Sequence, residues 1–184
     1  MQNPRWKRRP ECSTWGDWGP DDQRGRMNLI TPEKRRQAVT EVKEGIAFCL
    51  SLPLDLPGGT AVNPRRHPPK LQPTERSGKV NFNVPIRMIH DGATDIVCDD
   101  AVLMHLQYSS QWDSLAHVGQ FFDVSGNGTE EMVFYNGYRA GEHIVGPVDY
   151  RGGKEIDTGK GHVGALKLGI EHLAEGCAQG RGVM

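Results

Sequence analysis

Between Gln107 and His117 the chain reads Gln-Tyr-Ser-Ser-Gln-Trp-Asp-Ser-Leu-Ala-His, which places amides at 107 and 111, a carboxylate at 113 and an imidazole at 117. Gln111 and Asp113 are two apart, so extended backbone projects both side chains the same way. Asp113 and His117 are four apart, so a helical turn puts them on one face. A strand passing into a helix near Asp113 would therefore converge Gln111, Asp113 and His117 on one point. Carboxylate, amide oxygen and imidazole are all competent ligands for a divalent ion. The spacing alone also fits ordinary polar residues of a surface or a core.

Other chemistry-bearing residues read more plainly. His90 and Asp91 precede Gly92 as a turn, and Glu142-His143 is a surface or turn pair. His162 and His172 flank a helix and face solvent. Gly159-Lys160 fails as a phosphate loop, because Gly161 stands where Ser or Thr is needed. Cys49 and Cys98 lie in apolar surroundings and read as core thiols. The basic runs Arg5-Trp6-Lys7-Arg8-Arg9 and Lys34-Arg35-Arg36 read as solvated surface.

Certain elements must hold the 107–117 segment. Residues 1–30 are rich in Trp, Gly, Pro and charge, and form an arm whose Trp15 and Trp18 require a surface to dock on. A helix opens at Thr31 as N-cap, with Pro32 at its first position and Glu33 where the macrodipole favours a carboxylate. Ala38, Val39 and Val42 line it, and Gly45 stops it. Phe48, Leu50 and Leu52 alternate as a short strand. Pro53 to Gly78 reads as a long loop. Strand patterns return at Val80–Ile89 and Ala101–Tyr108, the latter with Val102, Met104 and Leu106 on one side. Gly126-Asn127-Gly128 and Gly152-Gly153 break a turn-rich stretch. A last helix is expected from Val163 to Glu175, with Val163, Leu166, Ile170 and Leu173 on one face. Gly182-Val183-Met184 then looks like the start of a buried strand.

The bulk composition bounds the function. At 184 residues the chain is one domain in size, organised as an arm (1–30) and a domain portion (31–184). With 36% hydrophobic residues, 23 Gly and 12 Pro, part of it is expected to pack on something else. A net charge of −1 offers no global field for nucleic acid or anionic membrane. Four widely spaced cysteines without a CxxC pair favour free thiols and a reducing, cytoplasmic setting. No apolar run approaches the roughly 18 residues that span a bilayer.

Several landmarks, in order, resemble one family. They are Trp15-Gly16-Asp17-Trp18-Gly19-Pro20-Asp21-Asp22, Met27-Asn28-Leu29-Ile30-Thr31-Pro32-Glu33, Ser51-Leu52-Pro53-Leu54-Asp55, Gln111-Trp112-Asp113-Ser114-Leu115-Ala116-His117-Val118, Tyr135-Asn136-Gly137, Leu168-Gly169-Ile170-Glu171 and Gly180-Arg181-Gly182-Val183. Together they are similar to the cyclase family of metal-dependent hydrolases, of kynurenine formamidase and isatin hydrolase type, in a subgroup whose motif is Gln-Trp-Asp. The family run His-x-Gly-Thr-His-x-Asp with a later His falls on Gln107, Ser109, Ser110, Gln111, Asp113 and His117.

The resemblance implies an α/β protein with the mixed-sheet, swivelling β/β/α cyclase-like fold, here incomplete at the C-terminus and preceded by the arm. It implies a divalent metal, Mn²⁺ or Zn²⁺, with Gln107, Gln111, Asp113 and His117 as ligands. His117 would be general base or second metal ligand, and Trp112 would line the substrate pocket. Gln in place of His favours either a harder ion such as Mn²⁺ or a lost metal. The implied activity is hydrolysis of an amide or a cyclic amide or ester, arylformamidase-like as in tryptophan catabolism to kynurenine. The implied partners are a small-molecule substrate and further copies in a homo-oligomer, without nucleic acid or membrane. The alternative is a non-catalytic truncated or split-gene fragment that needs a partner.

Overall fold

The computed structural model describes residues 3–150, 154–161 and 163–182, and divides into two units, residues 1–46 with 112–184 and residues 47–111. Among the described residues every strand pairing is antiparallel and every sheet has two strands. The mixed sheet expected of the α/β reading is thus represented by small ribbons and two short helices.

In the first unit the Thr31 start is as expected. Helix α1 spans Pro32–Val39, and the Thr31 side chain accepts from Lys34 N. It stops at Val39 rather than at Gly45, and it buries no residue. A helix with no face to bury gains nothing from extending beyond its cap. Residues Gln120–Phe122 pair with Glu131–Val133, Ile144–Val145 with Gly164–Ala165, and Val148–Asp149 with Ile156–Asp157.

The expected helix from Val163 shrinks to α2, Glu171–Gly176. Gly164–Ala165 is drawn into strand pairing, and Leu168 sits at φ 66, a left-handed conformation that ends any helix through it. Of the expected stripe, Leu173 is buried while Val163, Leu166 and Ile170 are exposed. The Arg35 guanidinium bonds the carbonyls of Gly176 and Cys177 and so satisfies the end of α2. Gly180–Gly182 carries no strand, and Val183 and Met184 lie outside the described residues, as do Gly152, Gly153 and His162.

The core of this unit is where the arm docks. Trp15 is 4% exposed and clusters with Val124 and Val133, with Trp6, Phe122 and Tyr135 packed around them. The Trp6 and Trp15 rings are 6.2 Å apart, and Trp15 meets Phe122 edge-on at the same distance. Trp18 is half-buried. Backbone bonds from Lys7 N and Arg8 N to Val124 O, at 2.7 and 3.0 Å, fix the arm's path. Docking removes the apolar faces of the indoles from water, the main driving force for ordering so irregular a segment.

In the second unit, Lys70–Pro73 pairs with Asp100–Leu103, Glu75–Arg76 with Lys79–Val80, and Val84–Pro85 with Ile96–Val97. The stretch expected to be a loop, 53–78, therefore contains strand. The Ser77-Gly78 turn, both residues at positive φ, closes the Glu75–Val80 hairpin, while Lys70–Pro73 takes its partner from Asp100–Leu103. The strand expected at Phe48, Leu50 and Leu52 is absent, because no described segment pairs with it, and all three side chains are exposed. The two later strand patterns shorten to Val84–Pro85 and Asp100–Leu103.

Cys49 and Cys98 are exposed, which corrects their reading as core thiols. The unit buries only Gly59, Asn81 and Ser109, so it has no apolar core of its own around which thiols could be enclosed. Among the described residues no helix is long and apolar enough to cross a membrane.

Candidate functional site

The candidate site residues divide between the two units: Gln107 and Gln111 fall in the second, and Trp112, Asp113 and His117 in the first.

In the second unit the 107–110 segment lies against the 53–59 loop. Ser109 Oγ donates to Leu56 O, and Pro57 and Ser109 form an isolated bridge beside the cis Leu56–Pro57 peptide. Gly59 is required here, since a Cβ on it would stand 2.8 Å from Tyr108 Cα and 3.2 Å from Gln107 O. Arg66 donates to Gln107 O at 3.1 Å. These contacts fix the backbone that carries Gln107. Gln107 is half-buried and Gln111 is exposed.

In the first unit the expected strand-to-helix transition at Asp113 is replaced by irregular backbone and one tight turn. His117 N donates to Ser114 O at 3.1 Å, and Ala116 N to Ser114 Oγ at 3.3 Å. The Ser114 hydroxyl thus supplies a local partner that competes with a helix. The next strand begins at Gln120, which leaves too few residues for a helix to nucleate. Asp113, His117 and Trp112 are all exposed. Leu115 anchors the turn from beneath: the Cβ position of Gly25 lies 3.4 Å from Leu115 Cδ1 and 3.7 Å from the Tyr135 ring.

That contact links the turn to a polar hub joining two of the sequence landmarks. Asn136 is fully buried at φ 56, a left-handed conformation that Asn tolerates. Its Oδ1 accepts from Asn3 Nδ2 and Trp6 Nε1, each at 3.2 Å. Its Nδ2 donates to the carbonyls of Gly19, Pro20 and Asp22 at 3.2, 2.9 and 3.2 Å. Gly137, at φ 75, lets the Trp6 ring approach where a Cβ would be 2.6 Å from Trp6 Cδ1.

The Tyr135 hydroxyl donates to Asp22 Oδ2 at 2.8 Å, and the same carboxylate accepts from Gly25 N and the Asn28 amide. Burial, with the Asp22 carboxylate second, holds the Tyr135 hydroxyl protonated far above its ordinary range. The hub was not foreseen from the sequence. The Trp-Gly-Asp-Trp and Tyr-Asn-Gly runs stood out there as separate landmarks, and only the fold brings them together.

Glu142-His143 lies in a turn as expected, but His143 is not at the surface. Its ring is largely covered, and burial first and the Arg5, Arg139 and Lys167 cations after it pull its pKa below the ordinary imidazole value, against Glu142. His172 keeps the expected helical setting, between Glu171 and Glu175. His90 and Asp91 lie in a turn as expected.

As donors for a divalent ion, Asp113 brings a carboxylate, His117 an imidazole and the two Gln residues amide oxygens, a hard and oxygen-rich set. Among the described residues no three His, Cys, Asp or Glu side chains group as a metal site.

No family model matches the chain, and no curated protein matches it. Among solved structures the chain is similar to a protein described as a novel cyclase, known from its crystal structure, with 33% identity and a TM-score of 0.47. The similarity covers 69% of this chain and 37% of that one.

Proposed function

We propose that the chain belongs to a cyclase-type, metal-dependent hydrolase acting on an amide or a cyclic amide or ester, arylformamidase-like in chemistry. The observation that carries this reading is the Gln111-Trp112-Asp113-Ser114-Leu115-Ala116-His117 run, standing in order with the Trp-Gly-Asp-Trp arm and the Tyr-Asn-Gly turn. The chain spans 37% of the cyclase it is similar to, so the activity belongs to the whole protein of which these residues would be a part.

In this reading Gln107, Gln111 and Asp113, with His117 as a further ligand or as general base, would hold Mn²⁺ or Zn²⁺, and the ion would polarise a carbonyl and acidify water. Asp113 supplies the formal negative charge that balances the ion. As general base, His117 would take the proton from an attacking water. Ser114, through its turn, fixes the backbone from 114 to 117. Trp112 offers an aromatic face to an aryl or heteroaryl substrate.

A second reading is favoured by one observation. The 47–111 unit buries no large apolar side chain, and Phe48, Leu50 and Val62 are among the most exposed. A unit lacking a core is stabilised by covering such faces, so the chain would act only against a further copy or another polypeptide. The test assays N-formyl aryl amides and cyclic amides with added Mn²⁺ or Zn²⁺, comparing the chain alone with the chain plus candidate partner fragments. Metal-dependent turnover abolished by Asp113→Asn supports the hydrolase. Inactivity in every combination, with no metal bound, overturns it.

A further inference from the structure

We propose that His143 is an acid-sensitive latch for the N-terminal arm, one that opens when protonation of its ring breaks the hydrogen bond accepted from Arg139.

Arg139 N donates to His143 Nδ1 at 3.1 Å, so the Nδ1 lone pair is in use and the ring proton resides on Nε2, 3.6 Å from Glu142 Oε1. A second proton on Nδ1 sets N–H against N–H and removes the acceptor from a half-buried donor. The same residues close a compact turn, with His143 N and Ile144 N both donating to Arg139 O at 3.0 and 3.3 Å. A ring forced out of place disturbs that turn directly.

Arg139 is also a tie to the arm. Its guanidinium donates to Arg5 O at 3.0 Å and to Glu131 Oε2 at 2.6 Å. The second tie runs through Tyr138, whose ring meets the His143 ring edge-on at 5.0 Å and carries the Arg5 guanidinium on its face at 4.0 Å. The Tyr138 hydroxyl reaches Asp21 O. Both of His143's neighbours therefore grip the arm, one at Arg5 and one at Arg5 and Asp21.

The charges facing the ring come from each packed segment. Arg5 belongs to the arm, Arg139 and Glu142 to the ring's own turn, and Lys167 to the strand-following segment whose N–H bonds His143 O at 3.3 Å. Glu131 is bound to Arg139 and Asp21 to Arg5, which leaves Glu142 as the carboxylate favouring a proton. Burial and three cations outweigh it, so the docked state prefers the neutral ring. Docking stability from this group is complete above the unfolded imidazole value of about 6.5. It is lost as pH falls through the lowered folded value.

The experiment follows the His143 ring and the Trp6 indole N–H by NMR in the full chain between pH 7.5 and 5. The indole reports docking because it donates to Asn136. The two signals should titrate together with a midpoint below that of free imidazole. His143→Asn keeps an acceptor in place of Nδ1 and cannot titrate, and it should hold the Trp6 signal constant over the range. His143→Gln serves as a second non-titrating variant should the first fold poorly. A Trp6 signal that stays fixed while His143 titrates overturns the latch, as does an unchanged Trp6 midpoint in the non-titrating variants.

Discussion

Replacing Asn136 by Ala tests whether the arm is held by the hub or merely lies against it. The amide makes five hydrogen bonds from a fully buried position. Some partners have a second bond to fall back on: the Asn3 amide keeps Pro20 O, and Gly19 O keeps Asp22 N. The Trp6 indole N–H and the Asp22 carbonyl are the groups stranded. At about 1–3 kcal/mol for each buried group left unmade, the two together cost at least about 2 kcal/mol. Alanine at φ 56 adds about 1 kcal/mol or more of backbone strain. The expected loss is therefore at least about 3 kcal/mol, a large part of the 5–15 kcal/mol typical of a folded domain. Urea denaturation followed by tryptophan fluorescence measures it. Asn136→Gly separates the contributions, since it loses the same bonds without the strain and should recover about 1 kcal/mol relative to Ala. A loss below about 0.5 kcal/mol for the Ala variant would mean that the hub is incidental to docking.

Three further outcomes are expected. Asp113→Asn should abolish Mn²⁺ binding by calorimetry, since it removes the formal charge of the Gln107, Gln111, Asp113, His117 set, and unchanged affinity would exclude Asp113 as a ligand. The Glu131 carboxyl is held below its ordinary value, chiefly by the Arg139 hydrogen bond, so its stabilising effect is present above the unfolded carboxylate pKa and is lost as pH falls through the folded one. The urea midpoint should accordingly fall more steeply below about pH 4.3 in the wild type than in Glu131→Gln, and parallel curves would refute this. All four cysteines are exposed, so a thiol reagent should modify Cys12, Cys49, Cys98 and Cys177 without denaturant, whereas protection of Cys49 or Cys98 would indicate a covered face.

What could be read from the sequence was what is local in cause. Thr31-Pro32 announces a helix start because the cap and the fixed φ act within one turn, and the structure has that start. Trp15 and Trp18 announce a docked arm because two indoles need cover, although the sequence could not say that Val124, Val133 and Phe122 supply it. The Val163–Leu173 stripe misled because periodicity does not reveal that Gly164–Ala165 has a strand partner at Ile144–Val145. Phe48–Leu52 misled in the opposite sense, since its alternation was real but no described strand pairs with it. The 107–117 segment was singled out through its resemblance, and its backbone was not legible from its spacing. Its spacing suggested a strand running into a helix, and the Ser114 hydroxyl, a contact of a few residues, turned the backbone another way.

The docking of the arm also orders events in time. Trp6 and Asn136 are 130 residues apart in the chain, so a ribosome making roughly 5–20 residues per second exposes the indoles for about 7–26 s before their partner emerges. Throughout that interval the arm carries three indoles, Trp6, Trp15 and Trp18, without the partners that cover them. The core closes from the late side, when the Gln120–Val133 hairpin and the Tyr-Asn-Gly turn arrive and collect a segment synthesised long before. A nascent chain of this design depends on its neighbours, or on chaperones, to keep its first thirty residues from binding elsewhere.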